Sequence, residues 1–218
     1  MSQNTQNAQT VVTNLKLDWC THTAAKYACE HWHYSKCMPA GKTVKIGVWE
    51  NDKFVGCVIF SLGAGNMTRG EKYGLKKTHE IAELSRVALS KHQTPVSRIL
   101  KIAIKMLRKF CPKLQMIISF SDYMNQGHIG TIYQASGFIY TGSFDKKDGF
   151  VIKGKFMHDR SIYSKGWIQT LPWLRENVDP DAQIHNSLKH RYLLPLNATI
   201  RERIEPLGLP YPKRAPVV

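Results

Sequence analysis

The stretch Ile117–Gly142 reads IISFSDYMNQGHIGTIYQASGFIYTG, and its pattern decides the fold. It continues an apolar run, Gln115–Phe120, of the kind buried on both faces of a sheet. A loop bearing Asp122 and Asn125 follows, and then a short helix expected around Ile129–Ser136 that carries Tyr133. Gly137 suits the C′ position of that helix, where the backbone turns left-handed. Phe138–Phe144 returns as a strand, with a turn expected at Asp145–Gly149 before a further strand, Phe150–His158.

On the N-terminal side, Leu15–Cys20 reads as a short strand and Thr21–Tyr34 as a helix. Val44–Glu50 and Phe54–Leu62 form a hairpin about Asn51-Asp52-Lys53. Gly63–Thr78 is a Gly- and Lys-rich loop whose length is typical of a functional segment, and Glu80–Leu89 is a further strand. Thr94 is expected to cap a helix with Pro95 in its first position. In that helix Ile99, Ile102, Ala103, Met106, Leu107 and Phe110 share one face at a period of 3.6. Arg98, Lys101, Lys105, Arg108 and Lys109 lie opposite.

The alternation predicts an α/β protein with a mixed central sheet flanked by helices. Three segments are expected: a disordered N-terminus (1–14), a catalytic core (15–165) and an irregular, basic C-terminal extension (166–218). Within the last part, Ser161–Arg175 is read as helical until Pro172 interferes.

Thirty-one Lys and Arg against sixteen Asp and Glu leave a net charge of +15. Such a surplus attracts polyanions, because each neutralised phosphate releases counterions. The interval from Arg69 to Lys113 concentrates it, with twelve basic residues and three acidic ones. Arg69, Lys72, Lys76 and Lys77 on the loop, with Lys189 and Arg191 near the C-terminus, are the candidate phosphate contacts to double-stranded DNA. A membrane partner is not expected, since no apolar run is long enough to span a bilayer and no basic amphipathic segment carries exposed aromatics. Cys20, Cys29, Cys37, Cys57 and Cys111 are odd in number and form no C-x-x-C pair, and the polar start Met1–Val12 lacks a leader pattern. Together these read as reduced thiols in the cytoplasm.

The order strand, Asn, Tyr-bearing helix, Gly-Phe, strand in the opening stretch resembles the last conserved block of the GNAT N-acetyltransferases. The resemblance implies that Tyr133 protonates a departing coenzyme A thiolate. It also implies that Arg86, Val87, Ala88, Ser97, Arg98 and Asn125 hold acetyl-CoA or a related acyl donor. GNAT enzymes write the turn before the central helix as Arg/Gln-x-x-Gly-x-Gly/Ala, so that backbone N–H groups approach the pyrophosphate. Here the stretch is Gln93-Thr94-Pro95-Val96-Ser97-Arg98, with Val96 and Arg98 where glycines belong. Either the cofactor sits differently, with Arg98 on phosphate, or the usual cofactor is not used.

Further fragments narrow the resemblance. His33-Tyr34-Ser35, Met38-Pro39-x-Gly41-Lys42, Gly47-Val48-Trp49-Glu50, Glu83–Leu89, Pro95–Ile99, Ser119–Asp122, Ile132–Ala135 and Lys189-His190-Arg191-Tyr192 occur in an order similar to that of the phage Mu Mom family. That similarity implies a DNA modification enzyme converting adenine to N6-carbamoylmethyladenine, which shields phage DNA from host restriction endonucleases. His33, Tyr34, Asp122 and Tyr133 become the expected catalytic residues. Iron is an implied cofactor, with His33, Tyr34 and Asp122 as its nitrogen and oxygen ligands. Reaching the adenine amine requires flipping the base, and Trp32, Trp49, Tyr73 and Tyr123 are candidate stacking partners.

Two other readings remain open: an N-acetyltransferase for a small amine or a protein, and a non-catalytic DNA-binding module with a degenerate GNAT core. The oligomeric state is likewise open, a homodimer among the options. The charge makes one prediction independent of the chemistry. Affinity for duplex DNA is expected to fall by about 10³-fold between about 50 and 200 mM salt; a flat response in a filter-binding titration would remove the phosphate-tracking argument.

Overall fold

The structure, a computed structural model, describes residues 13–61, 70–75, 78–123 and 127–213, and of Arg160 only the backbone. The chain divides into two compact units, one ending at Ile118 and the other beginning at Ser119. The expected N-terminal tail to residue 12, most of the Gly63–Thr78 loop, and Arg69, Lys76, Lys77 and Asn125 lie outside the described residues.

In the first unit β1 (Leu15–Trp19), β2 (Thr43–Glu50), β3 (Lys53–Ser61) and β4 (Ile81–Leu89) are antiparallel neighbours in that order. The β2–β3 turn falls at Asn51 and Asp52, which take φ of 48° and 62°. Both values are positive, as a two-residue turn matching the strand twist requires, and Asn and Asp tolerate them. The start of β5 (Met116–Asp122) pairs parallel to β4, through Ile81–Glu83 against Met116–Ile118, so the sheet is mixed as expected.

Helix α1 (His22–Trp32) starts at Thr21, whose side chain accepts the Ala24 N–H. It buries Ala25, Ala28 and Cys29 against Cys57, Ile59 and Ala88. Helix α2 (Val96–Phe110) buries Ile99, Leu100, Ala103, Ile104 and Leu107. Its apolar stripe is therefore rotated from the expected one. Phe110 is 62% exposed and instead packs on Trp19 with ring centroids 4.9 Å apart. The five basic residues of α2 are all exposed.

The second unit orders its strands β5, β8 (Gln183–Pro195), β6 (Ile139–Ile152) and β7 (Lys155–His158). Four helices belong to it among the described residues: α3 (Thr131–Gln134), α4 (Asp159–Ser164), α5 (Leu171–Asn177) and α6 (Ala198–Ile204). Three expectations are corrected here. The turn lies at Lys153 and Gly154, with φ of 51° and 71°, whereas Asp145–Gly149 stays inside β6. Pro172 lies in the first turn of α5 rather than ending a helix, because an N–H there has no intrahelical partner to lose. The segment expected to be irregular contains the thirteen-residue strand β8, antiparallel to β6 over its length. No helix among the described residues is long and apolar enough to cross a membrane.

Gly137 has φ of 78° and closes α3 as the sequence requires. Its N–H reaches the Gln134 carbonyl at 3.1 Å, and the Phe138 N–H reaches that of Tyr133 at 3.0 Å. Those two bonds define a Schellman stop. The accompanying apolar contact is the Tyr133–Phe138 ring pair, 5.6 Å between centroids. A Cβ at Gly137 meets nothing within 4 Å, so Gly137→Ala isolates backbone strain. It is expected to cost about 1–2 kcal/mol in urea unfolding, and an unchanged midpoint would mean the left-handed stop is not maintained in solution.

Candidate functional site

Asp122 ends β5, where open α/β sheets present their ligand contacts. Its side chain is 8% exposed, and Lys189 Nζ on β8 donates to its Oδ2 at 2.6 Å. The same ammonium lies 3.9 Å from Oδ2 of Asp148 on β6. The other oxygen of Asp148 meets His185 Nδ1 at 2.7 Å. A β-bulge puts Asp148 there. Lys147 pairs with Asn186 and Gly149 with His185, leaving Asp148 as the extra residue opposite none. A bulged residue is re-aimed relative to the strand's alternation, and its carboxylate joins the face that carries His185 and Lys189.

The charges of this network do not cancel. Two buried carboxylates face one ammonium. A carboxylate on Nδ1 fixes the proton there and leaves Nε2 as the lone-pair nitrogen, the orientation that makes an imidazole a base. Among the described residues His185 Nε2 has no partner, and the ring is a quarter exposed. Asp148 and Lys189 also line a cleft of about 430 Å³ with Lys146, Lys147, His158, Asp159, Tyr163 and Gln169. Tyr163 is 77% exposed, so this cleft combines ammonium groups, an uncovered aromatic ring and a polar floor.

Tyr133 stands in an aromatic cluster. Its ring lies 5.2 Å from that of Tyr192 and 5.8 Å from that of His128, and its hydroxyl donates to the Phe120 carbonyl at 3.4 Å. Tyr192 is fully buried and donates to the Ile129 carbonyl. Burial pushes its phenol up to about 12, against the opposing hydrogen bond from Gln134. Neighbouring His190 is held below the usual imidazole range by burial.

In the first unit, His33 is buried and Tyr34 is 54% exposed, with rings 4.3 Å apart. The Ser35 N–H donates to His33 Nδ1 at 3.1 Å, which places the proton of the neutral ring on Nε2. A metal-bound imidazole shows the reverse, donating its second N–H to an acceptor. His33 therefore does not fit its expected ligand role. The described residues contain no group of three or more His, Cys, Asp or Glu side chains able to hold a metal ion, so iron finds no support among them.

The expected cofactor residues scatter in function. Ala88 is buried under α1, and Val87 pairs with Val58. Arg86 donates to the carbonyls of Cys37 at 3.1 Å and Ser85 at 2.7 Å, fastening the segment after α1 to β4. Ser97 is half-buried in the first turn of α2, and Arg98 is exposed. Thr94 does not cap α2; Pro95 occupies that position with no side-chain cap. Instead the N–H groups of Gln93 and Thr94 donate to the two oxygens of Glu50 at 2.8 and 2.7 Å. Burial raises the Glu50 pKa, but hydrogen bonds from the Thr94 hydroxyl and from both N–H groups, with His92 nearby, outweigh it and hold the carboxyl below its usual range. The turn expected to receive a pyrophosphate thus holds a carboxylate of the chain itself, and the coenzyme does not fit it.

Of the expected DNA contacts, Lys72 sits over the Tyr73 ring at 4.9 Å. Arg191 bonds the hydroxyl and carbonyl of Thr141, both at 2.9 Å, and Lys189 is turned inward to Asp122. Of the expected stacking aromatics, Tyr73 is buried, Trp32 packs against the α1 cluster and Trp49 packs on Phe54. Tyr123 packs on His190 with centroids 5.5 Å apart. Asp148 and His185 were not among the expected site residues, and Tyr163 was not among the expected stacking aromatics. Lys189→Met removes the ammonium that Asp122 and Asp148 face and is expected to cost about 3 kcal/mol, with the Asp122→Asn/Lys189→Met pair recovering part of it in urea unfolding. A single variant as stable as the wild type would return Lys189 to the surface role.

Solved acetyltransferase structures superpose on the chain only loosely. The ribosomal-protein-S18-alanine N-acetyltransferase from Escherichia coli gives a TM-score of 0.46 at 12% identity, covering 85% of this chain and 96% of its own. A Bacillus subtilis acetyltransferase in complex with CoA gives 0.44 at 11%, covering 85% and 99%. At that level the likeness extends to no ligand or residue role. The methylcarbamoylase mom of Escherichia phage Mu is 28% identical over 188 residues, which is 83% of this chain and 76% of that protein. The Mom protein family matches residues 14–213. With nearly its whole length in that match, the chain belongs to the Mom protein family.

Proposed function

We propose that this protein is a phage DNA modification enzyme that converts adenine to N6-carbamoylmethyladenine and so shields the DNA from host restriction endonucleases. The observation that carries the reading is the similarity to the phage Mu methylcarbamoylase across most of both chains. The +15 charge supports a polyanionic substrate. The cleft of about 430 Å³ is within the range of small-ligand pockets and suits one extruded nucleotide. In this reading Tyr163 stacks on the base and Lys146 meets a phosphate.

The acceptor is the exocyclic amine of adenine, whose lone pair is delocalised into the purine. Bond formation to the incoming carbon requires loss of a proton from that nitrogen, and the bonding pair to the donor's leaving group departs with that group. His185 Nε2, oriented by Asp148, takes the proton. Lys189 lies 2.6 Å from Asp122 and 3.9 Å from Asp148 and so fixes the place of both carboxylates. Tyr133 is kept as the acid that protonates the leaving group. His33 with its Nε2–H and exposed Tyr34 are retained as candidate contacts in the first unit.

Expression in a bacterium, digestion of plasmid DNA to nucleosides and mass spectrometry form the test. A deoxyadenosine heavier by a carbamoylmethyl group is expected, and its absence under confirmed expression overturns the reading. His185→Asn and Tyr133→Phe are each expected to lower the yield by about 10²-fold while retention on DNA is unchanged. Full yield from either variant removes that residue from the chemistry.

A further inference from the structure

The N-terminus of a helix attracts anions because its first N–H groups lack intrahelical partners. In α2 that capacity is already spent. Gln93 and Thr94 give their N–H groups to Glu50. Pro95 has none to give. Arg98 and Ile99 both donate to the Pro95 carbonyl, at 2.9 and 3.3 Å. Val96 and Ser97 are left, and they share the turn with the negative charge of a carboxylate that is 7% exposed. An incoming diphosphate meets repulsion there in place of a cradle.

We infer that Glu50 is a built-in anion that permanently occupies the turn before α2, so that this chain takes a donor that is not anchored there by a nucleoside diphosphate. The contact is not an accident of a loose side chain. Glu50 is the last residue of β2, paired with Leu15 on one side and Lys53 on the other. Its two oxygens accept N–H groups from the consecutive residues Gln93 and Thr94. Side chains at Val96 and Arg98 agree with this arrangement, because a turn that never receives phosphate has no need of glycine. The inference concerns the donor alone and stands or falls separately from the identity of the acceptor.

Hydrogen exchange on the full-length protein, with and without millimolar coenzyme A, tests it. The Gln93 and Thr94 amides are expected to exchange slowly in the wild type and to be unaffected by coenzyme A, whether or not the coenzyme binds elsewhere. In Glu50→Gln the same two amides are expected to exchange at least about tenfold faster, the loss of charge-assisted hydrogen bonds. Protection of residues 93–98 by coenzyme A in the wild type overturns the inference, and that measurement needs no variant to fold. Unchanged exchange in a folded Glu50→Gln protein overturns it as well.

Discussion

Lys189 is the charge on which the candidate site depends. Two carboxylates are withdrawn from water in the second unit, and each carries a desolvation cost of several kcal/mol unless compensated. The ammonium contacts Asp122 on one neighbouring strand at 2.6 Å and approaches Asp148 on the other at 3.9 Å. A residue that reads in the sequence as one more basic contact to a polyanion is thereby the internal counter-charge of a polar floor. The net surplus of +15 includes charge that is not available at the surface.

The same economy appears in the first unit with the sign reversed. Glu50 supplies an anion to backbone N–H groups that have no other acceptor, as Lys189 supplies a cation to carboxylates. Each unit satisfies its most demanding buried polar groups from within its own chain.

The parts of the molecule that were legible in sequence are those governed by local rules. The β2–β3 hairpin announced itself through Asn51-Asp52, and the stop of α3 through Gly137. Helix α2 was legible as amphipathic, yet its stripe was misplaced because Phe110 finds its partner in Trp19, far away in sequence. Strand β8 was not legible. Its burial does not alternate cleanly, since β6 bulges twice against it, and the pairing that orders it is non-local. Asp145–Gly149 carries the composition of a turn, and only the register with β8 reveals it as strand. Asp122 could be singled out from its place at a strand end. Asp148 and His185 could not, because their meeting is a property of two strands rather than of either one. For the same reason the sequence could not tell that Lys189 points inward or that Thr94 serves Glu50.

The bulge at Asp148 has an evolutionary consequence. Because Lys147 and Gly149 keep their own partners on β8, excising the residue between them would straighten β6 without shifting either flank. The carboxylate that orients His185 is therefore carried by a single inserted amino acid. A family can gain or lose this element of its site by the insertion or deletion of one codon, leaving every other side chain of the ladder on its original face. Within such a family, a gap at this position is more telling about chemistry than any substitution around it.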